Sequence, residues 1–280
     1  MQLGMEVIDI ETDMQEIALD NEMRFSYDKL LIANGTSNFI LPIEGIEKEN
    51  VYTIRKLSDI QDIKANIEDK KAVLIVGGGI QGLETAWVLH QHGMEVIVVE
   101  ALERLMPRQI DSRASEILRK AIEDFNIKLI LNTQIKEITG LDAVEGVATK
   151  NGDIIKCDMI IYSVGIRPNK KLLENTPVKS NHGIIINNKM QSNVKNVYAA
   201  GDTAELYGKL GRLWGTAIEQ GKIAGYNITG RESVYTGSVP VTMMNAFNIS
   251  LFSAGDIDEN SCDLTLTDDN SEGLTYKSYL

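Results

Sequence analysis

Short apolar runs rich in β-branched residues alternate along this chain with stretches whose apolar residues recur at helical spacing. The run Ala72–Val76 suits a strand that is buried on both faces of a parallel sheet, and Val96–Val99 and Met159–Val164 have the same character. In Asp111–Phe125 the apolar residues fall on one face at intervals of three and four, which predicts an amphipathic helix. This alternation predicts an α/β fold with mainly parallel sheets.

Weaker patterns predict further elements elsewhere in the chain. The spacing of apolar residues predicts helices at Leu57–Ile67, with Ser58 as its N-cap, and at Leu213–Tyr226. A β-meander is predicted in the 134–156 region, with a hairpin turn at Asn151-Gly152. The remaining predictions are a short helix at Pro168–Glu174 and strands at Met5–Ile10, Gln15–Leu19, Arg24–Phe25, Tyr27–Gly35, Lys128–Leu131, Gly183–Ile186 and Val197–Ala200.

One stretch, Ala72–Glu100, combines a strand, a glycine turn, a helix and a second strand. Gly77, Gly79 and Gly82 form a G-x-G-x-x-G pattern directly after the first strand. In such a unit the first glycine allows a sharp turn, the second lets backbone approach a pyrophosphate, and the third lets helix pack on strand. The positive end of the helix then favours the anionic pyrophosphate.

Glu100 ends the second strand and favours NAD over NADP. Its carboxylate can accept hydrogen bonds from both ribose hydroxyls, and it would repel the additional phosphate of NADP. Glycine turns between ordinary strands and helices can produce the same pattern. Here, however, the strand before the turn, the helix after it and the acidic residue at the end of the second strand all match a dinucleotide-binding unit. The sequence therefore predicts an NAD site formed by Gly77, Gly78, Gly79, Ile80, Gly82 and Glu100.

Composition narrows the classes of partner. The chain has 280 residues, which is enough for two domains, and 28 basic against 40 acidic residues give a net charge of −12. This balance argues against nucleic acid and anionic membrane surfaces as partners. No apolar run reaches the length of a membrane span and no signal peptide is visible, so we expect a cytoplasmic protein.

The chain offers few candidates for metal binding or nucleophilic catalysis. Cys157 and Cys262 are far apart in sequence and form no CxxC or CxxxxC pair, so we expect free thiols rather than a redox-active dithiol of local spacing. The three histidines have no metal-ligand spacing, and we expect no metal. No arrangement typical of a hydrolase is present.

Five segments, in order, resemble the FAD- and NAD(P)-dependent pyridine-nucleotide disulfide-oxidoreductases. They are Tyr27–Gly35, Thr53–Arg55, Gly77–Glu100, Val164–Asn169 and Val197–Asp202. Within that family the chain looks nearest to rubredoxin reductases and to the flavin-binding part of NADH-dependent nitrite reductase large subunits. The reasons are the segment Met243–Asp256 and the lack of a CxxxxC pair.

The resemblance implies a flavoprotein fold with two dinucleotide-binding domains. A Rossmann-like NAD-binding domain, 48–163, would be inserted into an FAD-binding domain made of 1–47 and 164–238, and 239–280 would begin a C-terminal interface domain. The family's own N-terminal GxGxxG unit, for the ADP half of FAD, has no counterpart here, and the C-terminal domain is short. We therefore expect an N- and C-terminally incomplete member with a partial FAD-binding domain.

The resemblance also assigns roles to single residues, each of which has an ordinary structural explanation as well. Glu84 would lie near the nicotinamide and the flavin as the catalytic residue, and Gly165 would let the nicotinamide slide against the flavin. The FAD contacts would come from Val7, Arg55, Gly201, Asp202 and Trp214. Two positions depart from the family pattern: Asn34 replaces a usual Thr, and Gln81 replaces an apolar residue.

Three hypotheses about function follow. The first is an FAD-dependent NADH oxidoreductase that passes electrons through flavin to a redox protein such as rubredoxin, to a metal centre, or to oxygen. The second is a truncated module that binds NAD without FAD and without turnover. The third is an NADH oxidase, for which neither Cys157 nor Cys262 matches the expected peroxidatic cysteine.

Overall fold

The apolar runs of the sequence form strands in the computed structural model, which describes residues 2–258, 262–270 and 275–279. The described residues contain four α-helices: α1 (Leu57–Ala65), α2 (Ile80–Gln91), α3 (Ser112–Glu123) and α4 (Trp214–Ile228). They also contain 22 strands: β1 (Val7–Glu11), β2 (Glu16–Leu19), β3 (Arg24–Ser26), β4 (Leu30–Ile32), β5 (Thr36–Asn38), β6 (Val51–Thr53), β7 (Ala72–Val76), β8 (Glu95–Val99), β9 (Lys128–Ile130), β10 (Ile135–Thr139), β11 (Gly146–Thr149), β12 (Ile154–Lys156), β13 (Met159–Tyr162), β14 (Ile166–Pro168), β15 (Ile184–Ile186), β16 (Val197–Ala199), β17 (Ala204–Leu206), β18 (Lys209–Leu210), β19 (Val241–Ala246), β20 (Ile249–Ala254), β21 (Leu266–Asn270) and β22 (Thr275–Tyr279).

The chain forms two compact units. The flanking unit consists of 1–37 and 166–238, and the central unit consists of 38–165 and 239–280. The segment after 238, which the resemblance assigns to a separate interface domain, belongs to the central unit by its contacts. The assignment of cofactors to the four predicted segments remains a prediction.

A five-stranded parallel sheet, with strand order β6-β13-β7-β8-β9, is the middle layer of the central unit. Alternate residues of β7 point to opposite faces, so Val73 and Ile75 join one apolar cluster while Leu74 and Val76 join another. All four are buried, which explains why this strand is apolar at every position.

Different elements cover the two faces. Residues of α2 and α3, such as Leu83 and Leu118, join the cluster on one face. The antiparallel sheet β10-β11-β12 joins the cluster on the other face through residues such as Val147 and Ile155. The predicted meander and its turn, with Gly152 at φ +94°, are therefore present.

The hairpin β19–β20 packs on α2 through its turn residue Phe247. Phe247 and Asn248 have φ of +54° and +57°, which is the left-handed conformation of a two-residue hairpin turn. Phe247 is buried, and its ring lies edge-on to Trp87 of α2 at 5.2 Å between centroids. An aromatic residue is uncommon at positive φ, and burial against Trp87 offsets that strain.

The flanking unit is built from several short sheets and one long helix. Strands β4 and β16 pair in parallel, β1-β2-β3 and β15-β17-β18 form further sheets, and β5 pairs with β14. The helix α4 buries Thr216, Gln220 and Ala224, which recur every four residues and therefore share one face.

Most predicted elements are present within a few residues of their predicted ends, but two predictions differ from the structure. Ser58 is not the N-cap of α1, since the cap is Lys56 and the carboxylate of Asp59 accepts the N–H groups of Arg55 and Lys56. In place of a short α-helix at Pro168–Glu174, the chain forms the end of β14 and a single 3₁₀ turn.

The antiparallel strand pair β21–β22 lies in a segment for which the sequence predicted no strands. Its side chains bind α3 and its cap: Arg113 Nε donates to Asp269 at 2.8 Å, and Tyr276 Oη donates to Asp111 at 2.8 Å.

The Phe247–Trp87 contact predicts a stability difference between two phenylalanines of one hairpin. Phe247→Ala should lower the free energy of unfolding by about 3–5 kcal/mol, because it removes a buried aromatic side chain. Phe252→Ala is the matched control, since Phe252 is 67% exposed and its loss should change stability by less than about 0.5 kcal/mol. Urea denaturation of both variants tests this; equal midpoints would show that the hairpin does not stabilise the fold.

Candidate functional site

The glycine turn after β7 is held by close backbone contacts. Gly77 has φ +112°, and a Cβ at this position would lie 2.4 Å from the carbonyl oxygen of Ser163. A Cβ on Gly82 would lie 2.2 Å from the carbonyl oxygen of Gly77. Neither position has room for a side chain, so both glycines are required by the fold itself.

Gly79 is different, because a Cβ there would meet no described atom within 4 Å. Gly79 is the N-cap of α2, and no side chain caps this helix. The first N–H groups of the helix therefore have no side-chain partner, and the positive end of the helix dipole lies at the residue with open space around its Cβ position. This arrangement suits a bound anion whose atoms approach the backbone closely.

Glu100 lies at the end of β8, and its neighbours fix the orientation of its carboxylate. Oε2 accepts the N–H of Gly78 at 2.6 Å, and Oε1 accepts the N–H of Leu102 at 2.8 Å. Each carboxylate oxygen has a second lone pair, so two acceptor positions remain for ligand hydroxyls. The structure therefore brings together the six residues predicted for the NAD site, within one strand–turn–helix–strand unit.

Gln81, in the first turn of α2, has a role that sequence reasoning missed. Its Nε2 donates to the carbonyl oxygen of Ile54 at 2.5 Å, which ties the turn before α1 to the start of α2. Arg55 follows Ile54, is exposed, and lies in the central unit with the glycine turn. The only sequence signal for Gln81 was its departure from the apolar residue usual in the family.

Glu84 lies one turn further along α2. Partial burial raises the pKa of its carboxyl group. Gly165 follows β13 with φ +104° and a carbonyl oxygen that accepts the N–H of Phe39. The roles of Glu84 and Gly165 beside a flavin remain predictions.

In the flanking unit, the ends of the parallel strands β4 and β16 lie side by side. The turn Gly201-Asp202 follows β16, and Thr36 Oγ1 lies 3.5 Å from Asp202 Oδ2, at the limit of a hydrogen bond. Gly201 donates its N–H to Oε1 of Gln220 in α4 at 2.8 Å. The carboxyl ends of parallel strands are where open α/β sheets bind their ligands.

Asn169 joins this edge to the loop after β4, and sequence reasoning assigned it no role. Its Nδ2 donates to the carbonyl oxygen of Asn34 at 2.8 Å, and Asn34 returns a bond of 3.0 Å to the carbonyl oxygen of Asn169. Ser37 donates to Asn169 Oδ1 at 2.7 Å. The reciprocal pair gives a structural reason for Asn34, where the family usually has Thr.

Next to these strands lies an open groove of about 800 Å³, and Val7 is among its lining residues. Apolar side chains of β1 and β4 form one wall, and Arg167, Lys170 and Lys171 supply cations at another part of the lining. An apolar wall combined with a few polar groups is typical of ligand grooves.

The helix α4 begins at Trp214, whose residue surface is 84% exposed. No side chain caps this helix, so its first N–H groups need other partners. Thr203, beside Asp202, is fully buried, and its hydroxyl has no hydrogen-bond partner among the described residues.

Four of the five residues predicted to contact FAD lie in the flanking unit, namely Val7, Gly201, Asp202 and Trp214. The fifth, Arg55, lies in the central unit.

Both cysteines are free. Burial raises the pKa of the Cys157 thiol to about 12, while Cys262 is partly exposed. In the part of the chain that the structure describes, no three His, Cys, Asp or Glu side chains converge to hold a metal ion. No helix among these residues is both long and apolar enough to cross a bilayer.

Comparison with known proteins explains this geometry. Residues 1–221 match the family described as "Pyridine nucleotide-disulphide oxidoreductase". The chain belongs to this family. Its fold is the α/β fold of the flavoprotein reductases with two dinucleotide-binding domains, as predicted.

Among curated relatives, the chain is 36% identical over 255 residues to a nitrite reductase [NAD(P)H] of Bacillus subtilis, which covers 91% of this chain and 32% of the relative. It is 29% identical over 251 residues to an NADH-rubredoxin oxidoreductase of Clostridium acetobutylicum, covering 90% of this chain and 62% of that protein. A ferredoxin reductase from Rhodopseudomonas palustris has the same fold, with a TM-score of 0.90, 23% identity, and coverage of 99% of this chain and 69% of that one. The chain thus spans about a third of the nitrite reductase and less than two thirds of the rubredoxin oxidoreductase.

Substitution by alanine should impair stability at Gly82 and NADH binding at Gly79, because the two glycines have different surroundings. Gly82→Ala should unfold or strongly destabilise the chain, because its Cβ meets the Gly77 carbonyl. Gly79→Ala should keep the fold and its thermal midpoint, yet weaken NADH binding at least tenfold, because the methyl group occupies the space of the anion. Circular dichroism and NADH titration together check this pair; tight NADH binding by Gly79→Ala would show that the anion does not lie on this turn.

The burial of Cys157 predicts its reactivity. In the native chain, iodoacetamide at neutral pH should modify Cys262 and leave Cys157 unmodified, because the thiolate is the reacting form. In urea both thiols should react. Mass spectrometry counts the modified sites, and rapid native modification of Cys157 would contradict its placement beneath the central sheet.

Proposed function

We propose that this chain is the NADH- and FAD-binding part of a flavoprotein oxidoreductase that passes electrons from NADH to a redox protein or a metal centre. The observation that carries this proposal is the Gly77–Glu100 unit, with its open N-terminal turn and its oriented carboxylate. Family membership supports the same activity. The Bacillus nitrite reductase and the Clostridium rubredoxin oxidoreductase, named above, suggest the two kinds of acceptor.

The geometry around Glu100 supports NADH rather than NADPH as the donor. Two backbone N–H groups hold the carboxylate in one orientation, so little rearrangement is needed when a ribose binds. A 2′-phosphate would place two like charges in contact, which is strongly unfavourable. Gly79 would approach the pyrophosphate, and the uncapped start of α2 would donate to it.

We further propose that the flanking unit binds FAD, and three of its features support this proposal. Asp202 would face the ribityl or phosphate region, the uncapped N-terminus of α4 would stabilise a partial negative charge, and Val7 would lie at the adenine. A bound flavin would supply the conversion of hydride to single electrons. The protein's own contribution is to orient the two cofactors and exclude water, with Glu84 at the nicotinamide.

The two free cysteines support direct electron transfer from flavin to the acceptor. A buried thiol whose pKa is raised to about 12 is a poor redox partner, and Cys157 has that character. We therefore infer no protein disulfide in the electron path. We also propose a cytoplasmic location, where NADH is available.

Anaerobic reduction of the purified chain tests the proposal. After reconstitution with FAD, the protein should be yellow, and its visible flavin absorption should bleach on addition of one equivalent of NADH. NADPH should bleach it at least about tenfold less efficiently, which corresponds to about 1.4 kcal/mol of discrimination.

The control is Glu100→Ala, which removes the acceptor for the ribose hydroxyls together with its negative charge. In this variant NADH and NADPH should bleach the flavin absorption with more similar efficiency. A colourless protein that still binds NADH would refute the oxidoreductase function for this chain and leave the second hypothesis, an NAD-binding module without turnover.

A further inference from the structure

A buried methionine in the left-handed backbone conformation lies against the glycine turn of the central unit. Met106 is fully buried and has φ +46°, which is a strained conformation for a residue with a side chain. Its N–H donates to the carbonyl oxygen of Gly78 at 3.2 Å. Leu105 is also fully buried, and a Cβ on Gly78 would lie 2.6 Å from Leu105 Cδ2. Backbone strain of this kind persists only where the surrounding structure imposes it, so this loop needs a restraint.

Arg104 restrains the loop from within. Its Nη1 donates to the carbonyl oxygen of Ile110 at 2.5 Å, and its Nη2 donates to that of Pro107 at 3.0 Å. The planar guanidinium therefore joins the two ends of the turn that follows Met106. A lysine ammonium is a point charge and does not present two donors in such a fixed fork. We call residues 104–110 the Arg104 loop.

The Arg104 loop orients the peptide group between Gly78 and Gly79. This peptide is planar and trans, so its C=O and N–H point in opposite directions. Because Met106 binds the Gly78 carbonyl on the side of the loop, the Gly79 N–H is directed away from the loop. No described residue accepts the Gly79 N–H, and a Cβ on Gly79 would meet no described atom within 4 Å. The N–H therefore has a fixed direction and room for an acceptor.

We propose that Arg104 is a positioning residue for the pyrophosphate of NADH. It shapes the Arg104 loop, and the loop aims the Gly79 N–H at the anion. This inference rests on the proposed function, since it deepens the assignment of the pyrophosphate to the glycine turn. Both bonds of the Arg104 guanidinium described above go to carbonyl oxygens of its own loop, so it acts through Met106 and Gly78. A donor that is oriented before the ligand arrives loses little freedom on binding.

Binding of ADP-ribose to the full chain, reconstituted with FAD, tests this role without hydride transfer. ADP-ribose contains the pyrophosphate and the adenosine of NADH, whereas adenosine alone offers Glu100 the ribose hydroxyls without any phosphate. Arg104→Lys keeps the positive charge and removes the fork. It should weaken binding of ADP-ribose about tenfold, which is the loss expected for one hydrogen bond to a charged group. Its affinity for adenosine should equal that of wild type.

Amide hydrogen exchange adds a measurement on the loop itself. In wild type the Met106 amide should exchange slowly, while the Gly79 amide should exchange rapidly until ADP-ribose protects it. These wild-type rates test the proposal even if the variant fails to fold. In Arg104→Lys the Met106 amide should exchange about tenfold faster or more, because the bond to Gly78 opens more often.

The matched control is Arg119→Lys in α3. Arg119 forms an exposed ion pair with Glu123 at 3.4 Å, and such pairs contribute little to stability. This variant should keep wild-type affinity for ADP-ribose and wild-type exchange at Met106.

Several outcomes would overturn the proposal. Unchanged ADP-ribose affinity in folded Arg104→Lys, or rapid exchange of the Met106 amide in wild type, would show that the loop does not orient the turn. Equal losses of ADP-ribose and adenosine would show a general disturbance of the site. Weaker ADP-ribose binding with unchanged exchange at Met106 would make Arg104 a direct contact of the ligand. Failure of NADH to bleach the flavin would refute the proposed oxidoreductase function, and the ADP-ribose and exchange results would still decide the role of Arg104.

Discussion

The central unit depends on two positions where backbone meets backbone too closely for any side chain. Gly77 lies against the Ser163 carbonyl at the end of the neighbouring strand, and Gly82 lies against Gly77 itself. These contacts fix the N-terminus of α2 directly above the end of β7. Because the helix begins there without a capping side chain, its first N–H groups have no side-chain partner. The same turn brings Gly78 N–H to the Glu100 carboxylate, so the geometry of the fold and of the ligand site cannot be separated.

The sequence could predict the glycine turn of the central unit far better than the strand edge of the flanking unit. The reason is how far apart along the chain the residues of each lie. The glycine turn and Glu100 lie within 24 residues, where fixed spacing and alternating apolar strands are enough to predict the unit. The edge that holds Asp202 is assembled from segments near residues 34, 169 and 220. No local pattern connects these segments, and only a resemblance to known proteins or the fold itself could bring them together. Asn169 and Gln220 were missed for this reason, since an Asn after a proline and a Gln within a helix are common everywhere.

Other differences come from side chains whose effect depends on their partners. The capping prediction at Ser58 was wrong because the helix already begins at Leu57, where the carboxylate of Asp59 accepts the N–H groups of Arg55 and of the N-cap residue Lys56. No strand was predicted at β21 or β22, since these strands have no buried apolar residue that would generate an alternating pattern. Its carboxylate Asp269 and phenol Tyr276 are instead bound to α3 and its cap, a form of order that hydropathy does not indicate. Phe247 is the opposite case, where a buried aromatic residue in a left-handed turn was not expected from any turn preference.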